Sequence, residues 1–65
     1  MNVLINDQPH ELRDGACVPD AIAAIDAAPP FAVAVNKQFV PRSAYAAHTL
    51  RADDRIEVIR PVTGG

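Results

Sequence analysis

The sequence closes on Gly64 and Gly65, and the carboxylate of such an end is the group whose chemistry is easiest to state. A free carboxylate is a poor electrophile because oxide is a poor leaving group. Adenylation by ATP would convert it to an acyl-adenylate, and a sulfur nucleophile would then displace AMP. The thiocarboxylate left behind is a strong, soft nucleophile at neutral pH. Two glycines suit such a role because, lacking Cβ atoms, they adopt backbone angles closed to other residues and pass through a narrow channel. Fully extended, Pro61 to Gly65 spans roughly 16 Å, enough to carry the Gly65 carboxylate into a deep site while a partner grips the rest of the chain. At an average glycine usage of ~7%, a terminal pair arises by chance in roughly 1 of 200 chains. Alone, then, the pair reads as an ordinary frayed end, and its weight depends on the body that carries it.

The remaining reactive side chains are sparse. Cys17 is a candidate sulfur-handling thiol, with a small half-buried hydrophobe at a helix start as the plainer reading; helix N-termini do lower thiol pKa values. His10 and His48 have no carboxylate or Cys partners at ligand spacing, so no metal is expected. Asp53-Asp54 reads as a turn. Arg42 is a candidate for pairing with an acidic partner site, against the alternative of a solvated loop charge. Phe39, Ile59 and Val62 are candidates for an exposed apolar docking patch, with Phe39 in the core as the competing reading. No nucleophile–base pair or converging carboxylates can be assembled from these residues, so the chain is read as no enzyme, and no cofactor is expected.

The elements that must position these groups follow from patterning. Val3-Leu4-Ile5, bounded by Asn2 and Asn6-Asp7, predicts a first strand ending in a turn. His10 to Leu12 predicts a second strand that pairs back as a hairpin and stops at Asp14-Gly15. Val18, Ile22 and Ile25 stand at helical spacing, with Ala21 on the same face. Pro19 fits the first helical turn. With Cys17 as N-cap, Asp20 falls at the third helical position, where a carboxylate favours the positive helix end. Ala28-Pro29-Pro30 is expected to stop the helix. The unbroken apolar run Phe31 to Val35 predicts a central strand covered on both faces, with Ala32 and Ala34 on the thinner side. Asn36-Lys37 turns the chain into Phe39-Val40, and Pro41 ends that strand. Ser43 to His48 predicts a short helical turn with Tyr45 against the body. Asp53-Asp54 turns into a last strand in which Ile56 and Val58 alternate with Arg55, Glu57 and Arg60.

This order predicts an α+β domain with one main helix packed across a mixed sheet, the β-grasp or ubiquitin-like arrangement. Residues 1–60 form the expected domain and residues 61–65 a flexible C-terminal tail. A chain of 65 residues makes one domain with no room for a deep enclosing cleft. With one Cys it builds no disulfide framework, zinc cluster or iron–sulfur cluster from itself. Stability must then come from a tight apolar core, which the 49% hydrophobic content can supply. The formal charge of -2 and the absence of any Lys or Arg run argue against nucleic-acid binding. Met1 to Asn6 lacks the basic and apolar regions of a signal peptide, and no stretch approaches the ~20 apolar residues of a membrane span. A cytoplasmic protein without a membrane partner is the expectation.

On these residues the chain resembles the ThiS family, the sulfur carrier proteins of thiamine biosynthesis. The resemblance covers nearly the whole sequence: Asn6-Asp7-Gln8, Val18 at the helix start, Val33-Ala34-Val35-Asn36, Phe39-Val40-Pro41-Arg42, Asp54 with Ile56, and Gly64-Gly65. The Val-Asn and Val-Pro-Arg stretch is its most specific part, since ubiquitin-like proteins share the Gly-Gly end. The chain departs from the family at Asp53, where Gly is usual, and at Cys17, where a hydroxyl cap is usual. The resemblance implies a β-grasp fold and adenylation of Gly65 by a ubiquitin-activating-like adenylyltransferase. It further implies sulfur supplied by a cysteine desulfurase relay and delivered to thiazole synthase. Three competing readings stand beside it. A molybdopterin-synthase-type sulfur carrier shares fold and terminus, a ubiquitin-like modifier would form isopeptide bonds, and a plain binding module would not need Gly64-Gly65.

Overall fold

The computed structural model describes residues 1–60, and the expected tail, with Val62, Gly64 and Gly65, lies outside the described residues. Five strands form one sheet: β1 Asn2–Ile5, β2 Gln8–Glu11, β3 Ala32–Val35, β4 Gln38–Val40 and β5 Arg55–Ile59. They lie in the order β2-β1-β5-β3-β4. Two antiparallel hairpins, β1–β2 and β3–β4, flank β5, which runs parallel to β1 and antiparallel to β3. The sheet is therefore mixed, and helix α1, Val18–Ala24, packs across it. A 3-10 helix, Arg42–Ala47, follows β4. The α+β β-grasp expectation is met.

Both hairpins close through two left-handed residues. Asn6 and Asp7 have φ of 50° and 66°, and Asn36 and Lys37 have 51° and 68°. Two consecutive positive φ values define the turn whose twist matches that of the flanking strands, and asparagine tolerates the first position well. This turn also fixes register: Ile5 stands opposite Gln8, so β2 begins at Gln8 and not at the expected His10. Two-residue closure leaves no slack to delay the return strand.

Alternation does the rest. Val3, Ile5, Val33, Val35, Val40, Ile56 and Val58 point to one face and are buried with Val18 and Ala21 of α1 and with Leu50. The opposite face carries no helix among the described residues. Here the expectation for residues 31–35 is corrected. β3 is an interior strand, bonded to β5 on one edge and to β4 on the other, but it is covered on one face only, and β5 holds the middle of the sheet. Ala32 and Ala34 are half-buried on the open side, and their small size made an alternating strand look continuously apolar.

The N-terminal end of α1 is built as expected. Cys17 is the N-cap, Pro19 lies in the first turn, and the Asp20 carboxylate accepts the Cys17 N–H at 2.8 Å. The other end is not. The helix stops at Ala24, ahead of Pro29-Pro30, because Asp26 takes the left-handed conformation at φ 52°. Asp26 N–H then reaches Ala23 O at 3.1 Å and Ala27 N–H reaches Ile22 O at 3.2 Å. Those two bonds form a Schellman stop, which satisfies the last carbonyls before any proline is needed.

Candidate functional site

β5 is the last strand before the segment that carries the terminal glycines, and it is anchored to a neighbour on each edge. Each hairpin turn contributes one asparagine to this anchoring. Asn6 donates its N–H to Ile56 O at 2.9 Å, and its Oδ1 accepts Val58 N–H at 2.9 Å. Asn36 donates its N–H to Arg55 O at 2.7 Å, and its Oδ1 accepts Arg55 N–H at 3.0 Å. The Asn36 amide also donates to Asp54 Oδ1 at 3.0 Å. Asn6 and Asn36 read from sequence only as turn residues. Their side chains instead finish the hydrogen bonding of β5 where the ladder leaves gaps, and nothing local in the sequence signals a bond to a strand 52 residues away.

On the open face of the sheet Phe39 is 70% exposed and Ile59 54% exposed, the two large hydrophobic side chains left uncovered among the described residues. Register sets them on the same face on either side of β3: Phe39 stands opposite Ala34, and Ile59 stands opposite Ala32 on the other edge of that strand. The alanines leave a shallow saddle between the two. Phe39 in the core is thus excluded. Val62, the third residue of the expected patch, lies outside the described residues.

Arg42 does not join this face. Pro41 caps the 3-10 helix, and Arg42, its first residue, lines a groove with Ile22, Pro29, Pro30, Phe31 and Tyr45. The Phe31 and Tyr45 rings lie almost parallel, 12° apart with centroids at 6.2 Å, so Tyr45 packs against the body as expected.

Asp53 and Asp54 build a turn. Asp53 takes a left-handed φ of 71° and donates its N–H to Asn2 O at 2.8 Å. The Asp54 carboxylate accepts Arg51 N–H at 2.8 Å. The Cys17 thiol is half-buried, donating to Gly15 O at 3.7 Å beside Thr49 Oγ1 at 4.0 Å. The bond from Cys17 N–H, and secondarily Arg13, holds the Asp20 carboxyl below its ordinary pKa. His10 and His48 line different clefts, and among the described residues no three His, Cys, Asp or Glu side chains converge to hold a metal ion.

Known proteins resemble this chain over its whole length. The ThiS family model matches residues 3–65. The sulfur carrier protein ThiS of Escherichia coli is 32% identical, with all of both chains covered. A thiazole synthase of Magnetococcus marinus is 35% identical, but this chain spans only 20% of that protein's length. The crystal structure of a thiamine biosynthesis protein (ThiS) from Geobacter metallireducens superposes with a TM-score of 0.82 at 25% identity, covering both chains completely. The solution structure of a thiamine biosynthesis protein from the same organism gives a TM-score of 0.79 at 25% identity, covering this chain fully and 88% of that one. With the fold, the anchored last strand and the full-length match in agreement, the chain belongs to the ThiS family of sulfur carrier proteins.

Proposed function

We propose that this protein carries sulfur for thiazole formation in thiamine biosynthesis as a thiocarboxylate on Gly65. It acts as the substrate of other enzymes and is not itself a catalyst. A ubiquitin-activating-like adenylyltransferase binds the body through Phe39 and Ile59, with Val62 continuing the patch. It draws residues 61–65 into its site, where Gly64 allows the close approach. The Gly65 carboxylate attacks the α-phosphate of ATP and pyrophosphate leaves. The terminal sulfur of a persulfide on a cysteine desulfurase relay then displaces AMP, a thiol reductant cleaves the resulting acyl disulfide to free the Gly65 thiocarboxylate, and thiazole synthase takes the sulfur from it. Residues 1–60 are the body that partners grip, and 61–65 the tail that reaches the chemistry.

The observation that carries this reading is the family match through residue 65 on a body whose uncovered apolar pair sits beside the end of β5. The likeness to one-fifth of a thiazole synthase supports that enzyme as the recipient. Among the described residues no helix is long and apolar enough to cross a membrane, in keeping with the proposed cytoplasmic location. Intact mass spectrometry after incubation with ATP, the cognate activating enzyme and a sulfur source tests the reading. Exchange of one oxygen for sulfur at Gly65 is expected. Conjugation to lysines would show a modifier instead, and an unchanged terminus would defeat both.

A further inference from the structure

The groove lined by Ile22, Pro29, Pro30, Phe31, Arg42 and Tyr45 takes no part in holding β5 or in the Phe39–Ile59 face. It measures about 430 Å³. One wall is the near-parallel pair of Phe31 and Tyr45. Another is Pro29-Pro30, whose fixed backbone loses little freedom when something settles against it. Arg42 is the one charged side chain on its lining. It is exposed, and among the described residues its guanidinium makes no hydrogen bond or ion pair. On a chain of net charge -2, this is a cationic point set at the rim of an apolar groove.

That combination selects its occupant. A guanidinium pairs best with a planar carboxylate, which it can hold through two parallel hydrogen bonds. The walls call for an aliphatic side chain next to that carboxylate. A small molecule would need several converging polar groups to orient it, and a membrane surface would need a cluster of cations; the groove has neither. We infer that it is a second docking surface, which receives a partner-protein segment presenting an aliphatic side chain beside a carboxylate. It shares no residue with the Phe39–Ile59 saddle. The inference goes beyond the sulfur-carrier reading and does not depend on it, since the binding needs neither ATP nor sulfur.

The test is an NMR titration of the 15N-labelled full chain with the peptide acetyl-Ala-Leu-Glu-Leu-Ala-amide and with its Lys-for-Glu counterpart. Saturable shifts are expected at the amides of Ile22, Phe31 and Tyr45, with Phe39 and Ile59 unmoved. The Lys peptide should bind about tenfold more weakly or worse, the loss expected when one charge-assisted pair is removed. Arg42→Glu should reverse the preference between the two peptides, and its free spectrum reports whether the variant is folded; Arg42→Lys should bind the Glu peptide at an intermediate strength. Equal binding of both peptides, shifts centred on Phe39 and Ile59, or no shifts would each overturn the inference. So would groove shifts that grow with protein concentration alone, since they would assign the groove to a second copy of the chain.

Discussion

Phe39→Ala separates docking from folding more cleanly than any other change in this chain. A phenylalanine offers about 150–250 Å² to a partner when fully covered, and Phe39 keeps 70% of its surface uncovered. About 100–175 Å² thus remains to be buried on docking, worth a ceiling of about 2.5–4.5 kcal/mol at 25 cal/mol per Å². The alanine methyl retains part of that area, and ordering the interface consumes more. The expected loss is about 1–3 kcal/mol, or roughly 5- to 150-fold in kcat/KM for adenylation. The fold should respond less, because about 45–75 Å² of the residue is covered in the free protein; a ceiling of about 1–2 kcal/mol follows, part of which the alanine methyl retains. ATP–pyrophosphate exchange with the cognate activating enzyme reads the first quantity, and urea unfolding the second. A kcat/KM within twofold of the parent would refute the saddle as a docking surface. A large drop in the urea midpoint with parallel loss of activity would instead make Phe39 a structural residue.

Three further outcomes are expected. Asn6→Gly keeps a residue suited to φ 50° but removes the bond to Val58 N–H, and should cost about 1–2 kcal/mol in urea unfolding; Asn6→Ala, which also strains the turn, should cost more, and a Gly variant as stable as the parent would argue against the side-chain bond. Asp20→Asn should flatten the acid side of the stability curve: the folded carboxyl has a depressed pKa, so its contribution is present above the unfolded value near about 4 and disappears as pH falls through the folded one. An unchanged acid limb in pH-dependent melts would show that the Cys17–Asp20 bond does not matter for stability. Ile56→Val should cost about 1 kcal/mol and Ile56→Ala about 2–5 kcal/mol, since Ile56 is 1% exposed in the central strand; in a domain this small the alanine variant should be largely unfolded by circular dichroism.

Local chemistry was readable in the sequence and long-range pairing was not. The Asn6-Asp7 and Asn36-Lys37 turns, the Cys17-Pro19-Asp20 helix start and the Ile56–Val58 alternation each declare themselves within a few residues. The exposure of Phe39 depended on which face of the sheet the helix covers, so the pattern left both readings open. A left-handed Asp26 leaves a weaker mark in the sequence than two prolines, so the pattern points past the true helix end. The β3 alanines, though on the open face, are apolar, so the run reads as covered on both faces. The groove around Arg42 needed the α1–β3 connection and the 3-10 helix brought together, and Tyr45 and Pro29-Pro30-Phe31 were legible only as separate pieces.

The placement of β5 between the two hairpins has a consequence for synthesis and turnover. A ribosome delivers β1, β2, α1, β3 and β4 before β5, yet neither hairpin pairs directly with the other until β5 lies between them. The middle of the sheet is therefore the last part to be made. A nascent chain interrupted before β5, or one trimmed back into it by a protease, loses its centre and not an edge. Such a fragment has no assembled sheet on which Phe39 and Ile59 could form a saddle. Under the proposed function, a chain cut before or within β5 would offer a partner no assembled docking face.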